Sequence, residues 1–153
     1  MWKRSKFGDG PEQRKLESLA GKLGVTDHLK FMGVYPHDKM PGLLSSSDLA
    51  VFPSLMEATS IAALESMACE VPVAASRIGG LPEILDQEVG ALFEPANPES
   101  LAETVIALLE GGQLRKLGLE ARKRVVERWS NERLTDRHLE IYEDLLAIRH
   151  SVN

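Results

Sequence analysis

The sequence contains a single cysteine, few aromatic residues (5%) and no long apolar run. Cys69 has no second cysteine with which to form an internal disulfide, which is typical of a reducing compartment. Neither a charged-then-apolar leader nor an apolar run of about 18 residues, the length that a membrane helix needs, is present. These absences predict a soluble, cytoplasmic protein.

The sequence also has no excess of positive charge, since it contains 18 Lys and Arg residues and 23 Asp and Glu residues, which give a net charge of -5. No Lys/Arg cluster combines with aromatic side chains, so nucleic acid is not an expected partner. The four histidines are scattered, and none forms the close pair with Cys, Asp or Glu that metal ligation requires. We therefore expect no cofactor, and no metal site at His28, His37, His138 or His150.

The chain has the size and apolar content of one domain, with 153 residues of which 43% are hydrophobic. Turn residues and apolar runs alternate, and they predict helices and strands in turn, beginning with a helix that stops at Gly24. Three helices are predicted after Pro98, the last from Asn131 to Ile148 with Ser130 as its cap. This order predicts an α/β fold, with a doubly wound Rossmann-like parallel sheet and a helical carboxyl terminus, in a single domain over residues 1–153.

Two sets of apolar residues carry predictions about packing. The run "DLAVFPS" is nearly continuous, which fits a strand that is buried on both faces. In the last helix, three apolar residues share a stripe with His138. The residues predicted to pack, and not to bind ligand, are Trp129, Leu134, Ile141 and Leu145.

The segment "EATSIAALE" stands where parallel α/β sheets bind their ligands, between a strand and the helix that follows it. The chain leaves the strand at Pro53 and Ser54, passes Glu57, and is predicted to enter a helix near Thr59 or Ser60. The free N–H groups of a first helical turn favour an anion, and phosphate most of all. The segment therefore predicts an anion site.

The two glutamates of this segment exceed what a helix start needs, since one acidic or hydroxyl residue satisfies the free N–H groups. A diphosphate would repel Glu57, which is better placed to accept hydrogen bonds from hydroxyl groups. Glu65 lies five residues beyond Ser60, about 7.5 Å along a helix axis, at a sugar-sized distance where a carboxylate can bind a diol. Alternatively, Glu57 stabilises the helix dipole, by about 0.3 to 1 kcal/mol, and Glu65 is a solvated helix residue. The residues alone leave both interpretations open.

Three segments resemble the carboxyl-terminal domain of the family 4 retaining glycosyltransferases, which have the two-domain GT-B fold. They are "GDGPEQRKLESLAGKLG", "PSLMEATSIAALESMACEVPVAASRIGGLPEIL" and "GALFEPANPESLAETVIALLE", within a match from Gly8 to Leu146. The resemblance implies the donor-binding half of a hexosyl- or glycosyltransferase, which moves a sugar from a nucleoside-diphosphate sugar to an acceptor in glycan or glycolipid synthesis. It implies retention through the diphosphate leaving group, without a protein nucleophile, so no residue of this chain is assigned a catalytic role. Peripheral membrane association of a full-length enzyme stays open.

By position, the resemblance assigns donor-binding roles to one segment. Glu57 would accept hydrogen bonds from the donor sugar, the amides of Thr59 to Ile61 would face the sugar and the diphosphate, and Glu65 would hold the ribose hydroxyls. Pro53 and Ser54 would set the path of the backbone. The implied donor-binding residues are Glu57, Ala58, Thr59, Ser60, Ile61 and Glu65, and the implied base-binding turn is Gly33, Val34 and Tyr35.

The chain departs from the family pattern at two places near this site. Ala58, Thr59 and Ser60 replace a common Gly-Phe-Gly, which removes backbone freedom and adds two hydroxyl groups, a change that bears on donor choice. Glu70 stands where the family favours glycine. A left-handed backbone at Glu70 would cost on the order of 1 kcal/mol, and the alternative is a helix that ends without such a cap.

A larger departure precedes "GDGP", where family members have a strand, a helix and a second strand, and this chain has "MWKRSKF". With apolar residues only at Trp2 and Phe7, "WKRSKF" is a poor pattern for a central strand. Lys3, Arg4 and Lys6 do not match the arginine and lysine that neutralise the diphosphate in the family.

These differences predict a fragment that lacks the acceptor domain and is inactive by itself. We expect it to associate with itself through the incomplete sheet, because unpaired strand edges and exposed apolar faces favour association. A truncated, non-catalytic module for nucleotide binding or interaction is one alternative. Half of a sugar-nucleotide epimerase is another, and the glutamate spacing argues against it.

Overall fold

The computed structural model describes residues 4–7 and 10–151. The chain divides into two compact units, an amino-terminal unit, Met1–Met40, and a carboxyl-terminal unit, Pro41–Asn153. Whether the two units act as the single predicted domain stays a prediction. Three residues named above, Trp2, Lys3 and Gly8, lie outside the described residues.

The described part of the amino-terminal unit contains a two-stranded parallel sheet and the α-helix α1. Strand β1 is Arg4–Phe7, helix α1 is Gln13–Lys22 and strand β2 is Leu29–Gly33, with short 3-10 helices at Thr26–His28 and His37–Lys39. Strand β1 pairs with β2 from Arg4 opposite Leu29 onward, with an irregularity between Lys6 and Phe7. Residues 4–7 of "WKRSKF" therefore form a strand, but in a two-stranded sheet and not as the central strand for which the pattern is poor. A strand in a two-stranded ribbon is not enclosed by helices on both faces, so it needs no continuous apolar pattern.

Helix α1 ends as its sequence predicts. Gly24 has a left-handed backbone, with φ +67, and the Val25 N–H donates to the Ala20 carbonyl at 3.0 Å. A glycine that closes a helix in this way adopts a conformation in which a side chain would be strained.

The carboxyl-terminal unit is an α/β arrangement with a helical end, as predicted. Helix α2, Met40–Leu44, leads into it from the boundary. The strands are β3 (Ala50–Phe52), β4 (Val73–Ser76) and β5 (Gly90–Phe93), all parallel and in the order β3-β4-β5. The remaining helices are α3 (Ile61–Ala68), α4 (Leu81–Ile84), α5 (Pro98–Glu110), α6 (Leu114–Trp129) and α7 (Asn131–Ser151).

The two-sided burial predicted for "DLAVFPS" is wrong for β3 and is found instead in β4. All four residues of β4 are buried, because β4 lies between two strands. Val51 in β3 is 38% exposed, since β3 is at the edge of the three-stranded sheet. An edge strand presents unpaired backbone groups that can pair with another chain. Self-association through this edge stays a prediction.

The core of this unit joins the sheet to two helices. Helices α3 and α6 pack against each other, α3 contacts β4, α6 contacts β5, and both helices contribute apolar side chains to the buried cluster. The buried core residues are Ala63, Met67, Val73, Ala75, Leu81, Ile84, Leu85, Val89, Ala121 and Val125. The start of α3, where the donor site is predicted, is thus anchored to the core through one face of the helix.

Packing of the last helix is confirmed only where it begins. Trp129 packs against the core, and the Ser130 hydroxyl caps α7 by accepting a hydrogen bond from the Arg133 N–H at 3.3 Å. The prediction that Leu134, Ile141 and Leu145 pack inside is wrong, because their exposed fractions are 37%, 48% and 58%. A stripe of apolar residues shows the amphipathic face of a helix but cannot show what covers it.

At the end of α3, Glu70 has the left-handed backbone that the family's preference for glycine at this position predicts. Glu70 has φ +63, its N–H donates to the Met67 carbonyl at 3.0 Å, and the Val71 N–H donates to the Ser66 carbonyl at 3.1 Å. This pair of hydrogen bonds is a Schellman motif, in which glycine is the least strained residue.

Replacing Glu70 by glycine is therefore expected to raise the free energy of unfolding by about 1 kcal/mol. The ion pair between Glu70 and Arg122, at 3.8 Å with both side chains about half exposed, is worth little and offsets only part of this gain. Urea unfolding of the wild type, Glu70→Gly and Glu70→Ala would test this, since Glu70→Ala loses the ion pair but keeps the strain. A Glu70→Gly variant no more stable than Glu70→Ala would contradict it.

One nearly buried arginine ties α6 to the segment between α4 and β5. The Arg124 side chain is 10% exposed and donates to Asp86 Oδ2 at 2.6 Å and to Glu88 Oε2 at 2.7 Å. The hydrogen bond from Arg124 holds the pKa of Asp86 below its usual value, helped by the Glu88 backbone N–H and against the effect of burial.

This pair predicts a pH dependence of stability. Because the pKa of Asp86 is lowered by folding, its contribution is complete above the pKa of an unfolded aspartate, about 3.9, and is lost as the pH falls through the folded value. Replacing Arg124 by methionine should lower the free energy of unfolding at pH 7 by about 1 to 2 kcal/mol, with a smaller loss below pH ~4. Urea unfolding from pH 7 to pH 3 would measure it. Lys123→Met, which removes an exposed pair with Glu120, is the matched control. A deficit that does not depend on pH would contradict the role of Asp86.

Candidate functional site

The site is built on the start of α3, which no side chain of its own caps. Ser60 is the N-cap residue, but its hydroxyl makes no capping hydrogen bond, and the first turn contains no acidic residue. The Ser60 carbonyl accepts the first helical hydrogen bond, from the Leu64 N–H at 3.1 Å. The N–H groups at this end of α3 are thus oriented along the helix axis without an acceptor from the N-cap side chain. Such groups, with the positive end of the helix dipole, attract an anion.

Glu57 lies in the loop before this helix and is half-buried. It stands outside the first turn of α3, and the helix dipole acts mainly within that turn. Stabilisation of the dipole therefore accounts poorly for Glu57. A carboxylate beside the helix start, and not on it, can accept hydrogen bonds from a molecule whose anionic group lies at the N–H groups.

Glu65 lies on α3, one turn beyond Ile61 on the same face of the helix. Glu65 is half-buried, and the Ile61 side chain is 68% exposed. The face that carries Glu65 is therefore open at the start of the helix, and it leads from the predicted anion site toward Glu65.

The two hydroxyl residues of the segment that replaces Gly-Phe-Gly lie in different surroundings. Ser60 is buried, at 4% exposure, and Thr59 is exposed. Of these two side chains, only Thr59 is open to a ligand in front of the helix.

The loop after β4 supports the Glu57 segment through direct backbone contact. The Gly80 N–H donates to the Ala58 carbonyl at 2.9 Å. A Cβ atom on Gly79 would lie 1.7 Å from the Glu57 carbonyl oxygen, and one on Gly80 would lie 2.4 Å from the Ala58 carbonyl oxygen. Sequence reasoning missed this contact, although two adjacent glycines after a strand are a signal for close backbone approach.

The predicted base-binding turn lies in the amino-terminal unit, at the end of β2. Gly33 has a left-handed backbone with φ +64, Val34 is 79% exposed and Tyr35 is half-buried. An exposed, sharply turned segment fits a binding loop, and its role stays a prediction.

Two open surface grooves lie away from the donor segment. One, of about 450 Å³, runs along α1, and the other, of about 410 Å³, runs along α7. Neither is lined by the predicted donor-binding residues.

The described part of the chain contains no cluster of metal ligands and no helix that could span a membrane. No group of three or more His, Cys, Asp and Glu residues there could hold a metal ion, and His138 has its Nδ1 at 2.6 Å from the Leu134 carbonyl oxygen of its own helix. None of the helices there combines the length and apolar character that crossing a bilayer requires. The expectation that the protein uses no metal and no cofactor stays a prediction.

The sequence is similar to curated glycosyltransferases. It is 35% identical over 141 residues to the N-acetyl-alpha-D-glucosaminyl L-malate synthase of Bacillus anthracis. The alignment covers 91% of this chain and 36% of that protein. It is 32% identical over 142 residues to the D-inositol 3-phosphate glycosyltransferase of Saccharomonospora viridis, with 92% and 33% covered. The chain therefore spans about a third of the length of these relatives.

Solved structures agree with this similarity. Sucrose-phosphate synthase from Thermosynechococcus elongatus superposes with a TM-score of 0.81 at 29% identity, over 94% of this chain and 38% of that one. The structure of Anabaena HepE in complex with UDP and glucose superposes with a TM-score of 0.80 at 25% identity, over 95% and 40%. The fold is thus the one predicted, a Rossmann-like part of a GT-B glycosyltransferase.

The family model of the glycosyl transferases group 1 matches residues 7–127, a range that includes the whole β3–α3 segment and both glutamates. Because that range is most of the chain, and because the relatives and the solved structures agree with it, the chain belongs to the glycosyl transferases group 1 family.

Proposed function

We propose that this chain is the donor-binding part of a retaining glycosyltransferase, and that it holds a nucleoside-diphosphate sugar at the start of α3. The observation that carries the proposal is a helix start without a side-chain cap, flanked by Glu57 on the loop before it and Glu65 one turn beyond it. The N–H groups suit a diphosphate, and the carboxylates suit the hydroxyl groups on either side of that diphosphate.

The order of the groups assigns the ends of the donor. Glu57 accepts hydrogen bonds from the transferred sugar, the amides of Thr59 to Ile61 face the sugar and the diphosphate, and Glu65 holds the ribose. A carboxylate beside the phosphates would be repelled by them, whereas hydroxyl groups form charge-assisted hydrogen bonds with it. Thr59, as the exposed hydroxyl of the segment, is the side chain through which donor choice differs from that of relatives with Gly-Phe-Gly.

The similarity to structures solved with ligands supports a nucleotide donor. HepE is solved in complex with UDP and glucose, which makes UDP and UDP-glucose suitable first probes. Because the chain spans about a third of its relatives, transfer to an acceptor requires further protein, and the chain by itself is expected to turn over no donor.

Glu57→Ala is expected to weaken binding of a nucleotide sugar more than binding of the free nucleotide, because Glu57 contacts only the sugar. Isothermal calorimetry of the chain with UDP, UDP-glucose, GDP and GDP-mannose would measure both affinities. For one charge-assisted hydrogen bond, the expected loss is about 1.5 to 3 kcal/mol for the sugar nucleotide that binds, and little for its nucleotide.

Glu103→Ala, which removes an exposed carboxylate from α5, is the matched control and should bind as the wild type does. No binding of any of the four compounds would contradict a donor site in this chain. Equal losses for nucleotide and nucleotide sugar would contradict the assignment of Glu57 to the sugar.

A further inference from the structure

Gly79 and Gly80 are in closer contact with another segment than most glycines of the chain. Six described glycines, Gly10, Gly21, Gly24, Gly33, Gly42 and Gly112, would find nothing within 4 Å of an added Cβ. At Gly79 and Gly80 an added Cβ would instead lie 1.7 Å and 2.4 Å from the carbonyl oxygens of Glu57 and Ala58. Both contacts are with backbone, which cannot rotate away as a side chain can.

The same loop also bonds to the Glu57 segment. The Gly80 N–H donates to the Ala58 carbonyl at 2.9 Å, so the contact is an oriented hydrogen bond as well as close packing. Gly79 has φ +54, a backbone conformation that side chains rarely adopt. Any residue other than glycine at these positions would push the backbone of Glu57 and Ala58 away from β4.

We infer that Gly79 and Gly80 are positioning residues, which hold the Glu57 carboxylate and the neighbouring amides at the place where the sugar of a nucleotide sugar binds. The inference rests on the proposed function of Glu57. The glycines contact no ligand themselves. They act through the backbone of the β3–α3 loop, whose displacement by about 1 Å is enough to lengthen hydrogen bonds beyond their useful range.

Two substitutions test the inference, with one matched control. Gly80→Ala is the milder variant, because its backbone is not left-handed, and Gly79→Ala is the stronger one. The control is Gly118→Ala on α6, where an added Cβ would lie 2.0 Å from the Glu70 carbonyl oxygen, at the opposite end of α3. All three changes create a clash with a carbonyl of the backbone, but only the first two displace the Glu57 loop.

Calorimetry of the full chain with UDP-glucose and with UDP separates positioning from a general loss of stability. Gly80→Ala should lower the affinity for UDP-glucose roughly tenfold or more, and lower the affinity for UDP by much less. Gly118→Ala should lower the melting temperature but leave the ratio of the two affinities unchanged. Hydrogen exchange of unliganded protein over residues 54–62 should rise in Gly80→Ala and Gly79→Ala, and not in Gly118→Ala.

A measurement on the wild type covers the case in which the variants do not fold. The Gly80 amide resonance should shift on addition of UDP-glucose, and shift less on addition of UDP, since the sugar engages the loop that this amide holds. Where the wild type binds UDP-glucose, the inference would be overturned by wild-type ratios of affinity in Gly80→Ala, by unchanged exchange over residues 54–62, or by a Gly80 amide resonance that UDP-glucose leaves unmoved. If the wild type binds neither compound but the Gly79→Ala and Gly80→Ala variants show the expected rise in exchange, the proposed function is overturned and the support of the loop by these glycines stands.

Discussion

Replacing Glu65 by alanine is expected to weaken binding of UDP and of GDP alike by about 10- to 150-fold, which corresponds to about 1.5 to 3 kcal/mol. The reason is that the ribose is common to all of these ligands, and that Glu65, half-buried one turn beyond the exposed Ile61, is placed to accept hydrogen bonds from a diol. Loss of a carboxylate acceptor leaves those hydroxyl groups with weaker partners.

The effect should be separable from any change in folding. Glu65→Gln keeps the size of the side chain and loses its charge, so it should fall between Glu65→Ala and the wild type in affinity. Calorimetry of all three proteins, with circular dichroism to show that each is folded, is the direct measurement. Equal affinities of Glu65→Ala and the wild type for both nucleotides would refute the ribose role, while leaving the sugar role of Glu57 to its own test.

Replacing Gly90 by alanine is expected to lower the free energy of unfolding by about 3 kcal/mol. Gly90 begins β5 and is paired with Val73 in the central strand. An added Cβ would lie 2.0 Å from the Val73 carbonyl oxygen, 3.0 Å from its carbonyl carbon and 3.2 Å from its nitrogen. All three are backbone atoms of a buried strand, so relief requires separation of β4 and β5.

Urea unfolding followed by circular dichroism measures this loss. Gly42→Ala is the control, because Gly42 lies in a short helix with nothing within 4 Å of its added Cβ, and alanine favours helix by about 1 kcal/mol over glycine. The control should be as stable as the wild type or slightly more stable. A Gly90→Ala protein that unfolds at the same urea concentration as the wild type would contradict the prediction. It would show that β4 and β5 can move apart at this point without loss of stability.

Most element positions could be predicted because their signals are local. Gly24 and Gly33 stop a helix and a strand where the sequence places the stops, and Ser130 caps the helix that follows it. The left-handed backbone of Glu70 follows from a glycine preference at the same position, since the end of a helix requires that conformation whatever residue is present.

Prediction from sequence was incomplete or wrong where a remote partner decides the outcome. Residues 4–7 form a strand because β2 is available to pair with them, not because their pattern is apolar. The strand β3 is an edge, and Leu145 on α7 is exposed, because burial depends on which elements lie alongside. Hydrophobicity shows which side chains can be buried, but only the arrangement of the neighbouring elements decides which of them are buried.

By itself, the sequence determined the two glutamates, their spacing and the helix that begins between them, since these are properties of neighbouring residues. Only the tertiary structure decided that Thr59 is exposed while Ser60 is buried, and that Gly79 and Gly80 press against the backbone of Glu57 and Ala58. The physical reason is the parallel pairing of β3 with β4, which brings the carboxyl ends of two strands, and the loops that leave them, to one edge of the sheet.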